Sequence, residues 1–225
     1  MTTAGTEPGA GRPSLVVLIS GRGSNLQTIL DAIRDGRLNA KLRAVISNNP
    51  DAPGLERARR AGIPAEVVDH RNFPSRETFD AELRRHIDRH APALVVLAGF
   101  MRILSDDFIR HFEGRLLNIH PSLLPEFPGL NTHARALAAG AREHGASVHF
   151  VTPAVDAGPV VLQARVAVEP GDTPVTLAAR VLREEHRILP EAIGWFLAGR
   201  LTLSNGQALL DGRPVPATAN HRNSQ

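Results

Sequence analysis

The chain has 225 residues, 42% hydrophobic and 22% charged, with a formal net charge of +3 and no cysteine. That length suits one globular domain of generous size, and the missing thiol excludes disulfides, thiolate metal sites and a cysteine nucleophile. The basic residues are almost all arginine, Lys41 being the only lysine, and they form neither a like-charge block nor a basic stripe interleaved with aromatics, which argues against nucleic acid and leaves small anionic molecules as the easier partners.

Residues 1–13 are rich in Gly, Pro, Thr and Ala and read as a disordered extension. They contain no apolar signal core, and no later run approaches the roughly 18 apolar residues of a membrane span, so a cytoplasmic location without membrane contact is expected. LVVLIS then reads as a buried strand. GRGSN turns it into LQTILDAIRDGRL, where Leu26, Ile29, Leu30 and Ile33 have helical spacing. KLRAVISNNP is a second strand, APGLERARRAG a short helix and PAEVVD a third strand. SRETFDAELRRHIDRH is a helix with Ser75 as its N-cap, acidic residues early and arginines late, matching the helix dipole. ALVVLAG, SDDFIRHF and RLLNIH continue the alternation as strand, helix and strand.

This order predicts a parallel sheet with helices on both faces. The second half departs from it. GASVHFVT and PVVLQARVAVE are separated only by PAVDAG, too short for a crossover helix, so they should pair antiparallel. TPVTLAARVLREEHRILPEAIGWFLAG is a long helical stretch, bent or restarted at Pro190. LTLSNGQALL alternates around Asn205-Gly206, a hairpin signal. The expectation is an α/β fold with a Rossmann-like N-terminal half of parallel strands and a mixed sheet overall. One domain should span 14–212, with a flexible tail over 213–225.

Three stretches carry chemistry. In NIHPSLLPEFPG, Asn118 and His120 stand two apart at the end of a strand, so they share a face, and Pro121 closes the strand. Ligands of open α/β sheets bind beyond the carboxyl ends of strands, although a polar, solvated strand end has the same pattern. In ISGRGSNL, Gly21 and Gly23 permit close backbone approach, and the amides near Ser24 and Asn25 open a helix, an anion-binding arrangement. Leu26 stands where a dinucleotide fingerprint has its third glycine, and a Walker lysine is absent, so a single phosphate suits the loop better. An ordinary turn capped by Ser24 or Asn25 is the alternative. Asp156 lies in a glycine-rich bend, where an aspartate can also serve only its own backbone. Ser147 and His149 share one face of a strand. No metal-ligand spacing and no Gly-x-Ser-x-Gly elbow is present. An amide donor, an imidazole and a carboxylate around a developing charge remain, which is non-covalent catalysis.

LISGRGSNLQ, LAGFMRILS, NIHPSLLPEFPG, HGASVHFVT and DAGPVVLQ together resemble the folate-dependent phosphoribosylglycinamide formyltransferases, from about Leu15 to Gly212. HPSLLP alone marks the wider formyltransferase group, including methionyl-tRNA formyltransferase and formyltetrahydrofolate deformylase; GRGSN and the chain length narrow it. The resemblance implies an α/β formyltransferase fold. It also implies a monomer or homodimer acting on small molecules, with 10-formyltetrahydrofolate as co-substrate and no metal. Carried over, Asn118 bonds the formyl oxygen, His120 donates a proton, and Asp156 pairs with His120 and relays protons through water. Ser147 and His149 support them. Gly23, Ser24 and Asn25 hold the ribonucleotide phosphate, and Glu185 reaches its glycinamide end or ribose. Met101, Arg102, Ile103 and Leu104 wall the pterin pocket together with Asn118. Thr152, Pro153, Ala154 and Val155 form its other side, and Arg76 lies near the folate tail. A binding protein without turnover, or a hydrolase releasing formate, are the competing readings.

Overall fold

Alternating side chains let one strand feed two cores. In β1 (Ser14–Ile19), Leu15, Val17 and Ile19 point into one hydrophobic cluster, and Val16 and Leu18 into another, all of them completely buried. Burying each such side chain contributes about 1.5–3 kcal/mol. The computed structural model describes residues 11–216. After β1 come α1 (Ser24–Arg34), β2 (Lys41–Ser47), α2 (Gly54–Arg60), β3 (Ala65–Val67), α3 (Arg76–Asp88), β4 (Leu94–Leu97), α4 (Asp106–His111) and β5 (Leu116–His120). The second half adds α5 (Thr132–Ala138), β6 (Glu143–Phe150), β7 (Val160–Ala167), α6 (Pro174–Leu197), β8 (Leu201–Ser204), β9 (Gln207–Leu210) and β10 (Arg213–Pro214).

The main sheet has the order β3-β2-β1-β4-β5-β6-β7. Strands β1 to β5 are parallel, and β6 and β7 are antiparallel, which gives the mixed α/β sheet expected. Helices α1, α2 and α6 cover one face through Leu26, Leu55 and Leu177, and α3 and α4 cover the other through Phe79 and Phe108. Ser75 caps α3 by accepting the Thr78 amide, as its sequence suggests, and Thr173 caps α6 in the same way with Pro174 in its first turn.

The structure departs from the sequence reading in four places. Helix α6 is uninterrupted from Pro174 to Leu197, so Pro190 lies inside it rather than restarting it. The side chains of Ile188, Leu189, Pro190, Ala192 and Ile193 are all buried there, and packing against the sheet outweighs the lost backbone bond. Helix α5 was not foreseen: THARALA is only 7 residues long, too short for a clear apolar period. Gly23, not Ser24 or Asn25, is the N-cap of α1. Finally, β10 pairs with β9 and the Val215 amide bonds the Ala208 carbonyl, so ordered pairing continues past 212 into the stretch expected to be a tail. The remainder of that tail and most of the N-terminal extension lie outside the described residues. The hairpin at Asn205-Gly206 is present, with both residues at positive φ, 48° and 73°. No helix among the described residues is long and apolar enough to cross a membrane.

Candidate functional site

The site begins with a register. Leu117 and Ile119 of β5 feed the core beneath α6, so Asn118 and His120 face the other side. On the antiparallel neighbour β6, Ala146, Val148 and Phe150 feed the same core, which turns Ser147 and His149 the other way. The pairing sets Asn118 opposite His149 and His120 opposite Ser147. Four polar side chains thus form a two-by-two patch on one face, at the carboxyl end of β5. Cross-strand neighbours approach within about 4.5–5.5 Å at Cβ.

His149 is 2% exposed, and its burial holds the imidazole pKa below the ordinary value, keeping the ring neutral. Its Nδ1 donates to the Phe150 carbonyl at 2.9 Å, because a carbonyl can only accept. Nε2 is then a lone pair, and it accepts the Asn118 Nδ2 hydrogen at 3.1 Å. The amide orientation of Asn118 is thereby set, with one N–H committed and the second N–H and the oxygen left for the cleft.

Asp156 lies in the loop between β6 and β7 with a φ of 52° and is pulled across this patch. Its Oδ2 is 3.3 Å from His120 Nδ1 and accepts the Gly129 amide at 2.8 Å; its Oδ1 is 3.7 Å from His149 Nε2. His120 Nε2 donates to the Phe127 carbonyl at 3.0 Å. The carboxylate therefore links His120 to the loop that follows β5, with the neutral His149 ring beside it.

That loop is pinned by Ser147. Its hydroxyl donates to the Ser122 carbonyl at 2.6 Å and accepts the Leu124 amide at 3.0 Å and the Gln163 Nε2 at 2.8 Å. Gln163 also donates to the Leu124 carbonyl at 2.8 Å. The prolines restrict this segment, and buried hydrogen bonds to β6 and β7 locate it. Gln163 was missed in the sequence; a glutamine inside the apolar run VVLQARV was the available signal.

The patch opens into a cleft of about 700 Å³. Its walls include Arg76, Met101, Arg102, Ile103, Leu104, Thr152, Pro153 and Val155, with Asn118, His120, His149 and Asp156 at one end. Met101, Ile103, Leu130 and Val155 leave 65%, 61%, 73% and 52% of their surfaces exposed, an apolar rim that a flat ring system would cover. Ala154 does not line the cleft. It sits on the outside of its turn, where its carbonyl accepts the Ala157 amide and the Thr152 hydroxyl. Leu130 and His133 line the cleft unforeseen, because one precedes and the other lies in the first turn of the unrecognised helix α5.

The glycine loop follows β1 at the same edge of the sheet. Gly23 has a φ of 69°, and a Cβ there would stand 2.8 Å from the Gly54 Cα. A side chain is excluded twice over, by backbone conformation and by space. With no side-chain cap on α1, its first-turn amides, those of Ser24 and Asn25 included, have no intrahelical acceptor and keep the positive end of the helix dipole unopposed. The Asn25 Nδ2 donates to Glu185 Oε2 at 2.6 Å, across 160 residues of chain, while Asn25 Oδ1 is buried without a partner. Glu185 is 8% exposed, and burial raises its carboxyl pKa. No group of three His, Cys, Asp or Glu side chains is placed to hold a metal among the described residues.

Comparison with known proteins agrees with this architecture. Residues 14–193 match the formyl transferase family. The phosphoribosylglycinamide formyltransferase of Escherichia coli (strain K12) is 55% identical over 203 residues, 90% of this chain and 96% of that protein. The solved structure of the phosphoribosylglycinamide formyltransferase of Coxiella burnetii superposes with a TM-score of 0.89 at 54% identity, covering 92% of this chain and 98% of that one. A formyltetrahydrofolate deformylase of Burkholderia mallei is similar at 27% identity, with a TM-score of 0.81 over 88% of this chain and 70% of that one.

Proposed function

The chain belongs to the formyl transferase family, and on that premise we propose the following reading of its site. It is a phosphoribosylglycinamide formyltransferase of purine biosynthesis. It moves a formyl group from 10-formyltetrahydrofolate to the amine of glycinamide ribonucleotide, as a cytoplasmic monomer or homodimer. The observation that carries the reading is the convergence of Asn118, His120 and Asp156 at the end of an apolar cleft, with the uncapped α1 loop on the same sheet edge.

The cleft fits a formylated pterin. It has apolar walls at Ile103, Leu104 and Val155, and Arg76 and Arg102 offer cations for an anionic tail. Gly23, Ser24 and Asn25 hold the ribonucleotide phosphate on backbone amides. The unpartnered Asn25 Oδ1 and the raised carboxyl of Glu185 take the hydroxyls of its ribose. When the substrate amine adds to the formyl carbon, the free N–H of Asn118 meets the charge growing on the formyl oxygen. For His120 to join it, its Nε2 hydrogen must exchange the Phe127 carbonyl for the substrate. Asp156 holds the other side of that ring and, through water, takes the proton that the amine loses; the departing folate nitrogen gains one, so the reaction balances without a metal.

The test is turnover with both substrates and with each alone. Formyl transfer to the ribonucleotide, insensitive to EDTA, is expected. Formate release from 10-formyltetrahydrofolate alone, at the rate seen with both, would instead make the protein a hydrolase. No turnover of either kind would leave a binding protein.

A further inference from the structure

We propose that Asp80 is a positioning residue for the folate-side wall of the cleft, acting through the backbone amide of Ser105. This rests on the folate reading of the cleft given above. Asp80 is on α3, away from the reacting groups, and only 2% exposed. Its Oδ2 accepts the Ser105 amide at 2.5 Å, and its Oδ1 is buried with no protein partner. A buried carboxylate with one oxygen unserved destabilises the fold, and its neighbours on α3, Phe79, Leu83 and Ile87, are core residues. The Ser105 hydroxyl accepts the Phe108 amide at 3.4 Å as the cap of α4, while the carboxylate takes the Ser105 amide.

What the carboxylate does hold is the end of a span. Residues Met101 to Leu104 line the cleft between β4 and α4. At the first end, the Met101 amide donates to the Ser20 hydroxyl at 2.7 Å, and that hydroxyl donates to Asn48 Oδ1 at 2.5 Å. At the second end stands the Asp80–Ser105 bond. Between the two, the Met101 and Ile103 side chains are mostly exposed, and Leu104, next to Ser105, is the one side chain of the span packed into the core. A wall of this kind is placed by its ends. Positioning errors near 1 Å are costly in binding and orientation. Arg76, also a wall residue, lies one turn before Asp80 on the same helix.

The experiment measures kcat, both KM values and thermal midpoint for Asp80→Ala, Asp80→Asn and Ile103→Ala. Asp80→Ala should raise the KM for 10-formyltetrahydrofolate about tenfold while the ribonucleotide KM and kcat change less than about twofold, the pattern of lost uniform binding. Asp80→Asn keeps an oxygen for the Ser105 amide and should restore most of that KM. A general loss of structure would move both KM values or the active fraction instead. If Asp80→Ala does not fold, Asp80→Glu displaces the acceptor by one methylene and should raise the folate KM alone. An unchanged folate KM in folded Asp80→Ala or Asp80→Glu, or an equal rise in both KM values, overturns the proposal. Ile103→Ala separates the two layers. A raised folate KM there with none in the Asp80 variants removes only the positioning role, whereas no change in either removes the folate reading with it.

Discussion

At the scale of single residues, the chemistry rests on which hydrogen each ring and amide presents. Asn118 has one N–H committed to His149, so only the other is available to an oxyanion. Asn118→Ala should cost about 2.7–4 kcal/mol of transition-state stabilisation, the range for a single oxyanion donor, read as kcat with the protein still folded. His120 faces Asp156 on one nitrogen and a carbonyl on the other. His120→Ala should lower kcat by roughly a hundred- to ten-thousandfold, the general-acid range. Asp156→Asn removes the charge that links His120 to the Gly129 amide, and should also lower kcat heavily. Because the pair acts as a unit, the double variant should be little slower than the slower single one. Near-wild-type turnover in all three folded single variants would move the site elsewhere.

At the scale of elements, two glycines mark where backbones cross. A Cβ on Gly158 would lie 1.8 Å from the Phe150 carbonyl oxygen, two residues beyond Asp156. Gly158→Ala must therefore shift the loop that carries the carboxylate, and should depress kcat together with the thermal midpoint. Unaltered kcat would show that Asp156 is held by Gly129 and His120 alone. Gly23 is different in kind. Gly23→Val collides with Gly54 before any ligand arrives, so weakened ribonucleotide binding in that variant does not by itself locate the phosphate. Asn25→Ala is the cleaner probe, since it removes the Glu185 partner and the unserved buried oxygen without a backbone clash. It should raise the ribonucleotide KM and leave the folate KM alone; equal changes in both would refute the assignment.

At the scale of the whole molecule, buried imidazoles oppose folding in acid. His144 is 1% exposed, bonded through Nε2 to His133 at 3.2 Å, and desolvation lowers its pKa from 6.5 to about 4. The unfolded chain accepts a proton near pH 6.5 that the folded ring refuses, so this stability is present above that value and is lost as pH falls towards 4. The shift corresponds to roughly 3–4 kcal/mol as an upper bound. Glu185 works in the opposite sense, because its raised carboxyl favours the fold when protonated and loses that contribution as pH rises through its folded value. The net curve mixes both, so single variants are required. In urea titrations at pH 7 and pH 5, His144→Gln should lose less stability between the two than the parent. An identical drop would assign the loss in acid to other groups.

Much of this protein was determined along the chain. The βα alternation, the antiparallel pairing of the sixth and seventh strands, the Ser75 cap and the Asn205-Gly206 hairpin follow from period, spacing and turn chemistry, which are local. Asn118 with His120, and Ser147 with His149, were legible as same-face pairs because a strand alternates. What only the tertiary structure decided is how those pairs meet. The β5–β6 register sets Asn118 against His149, the crossing at Gly158 brings in Asp156, and Glu185 reaches Asn25 from 160 residues away. None of these distances is encoded in any short window. The same holds for Pro190 inside α6, for the 7 residues of α5 and for Asp80 beneath Ser105. In each, burial against a distant element outweighs the local preference, and burial exists only once the sheet has closed around its core.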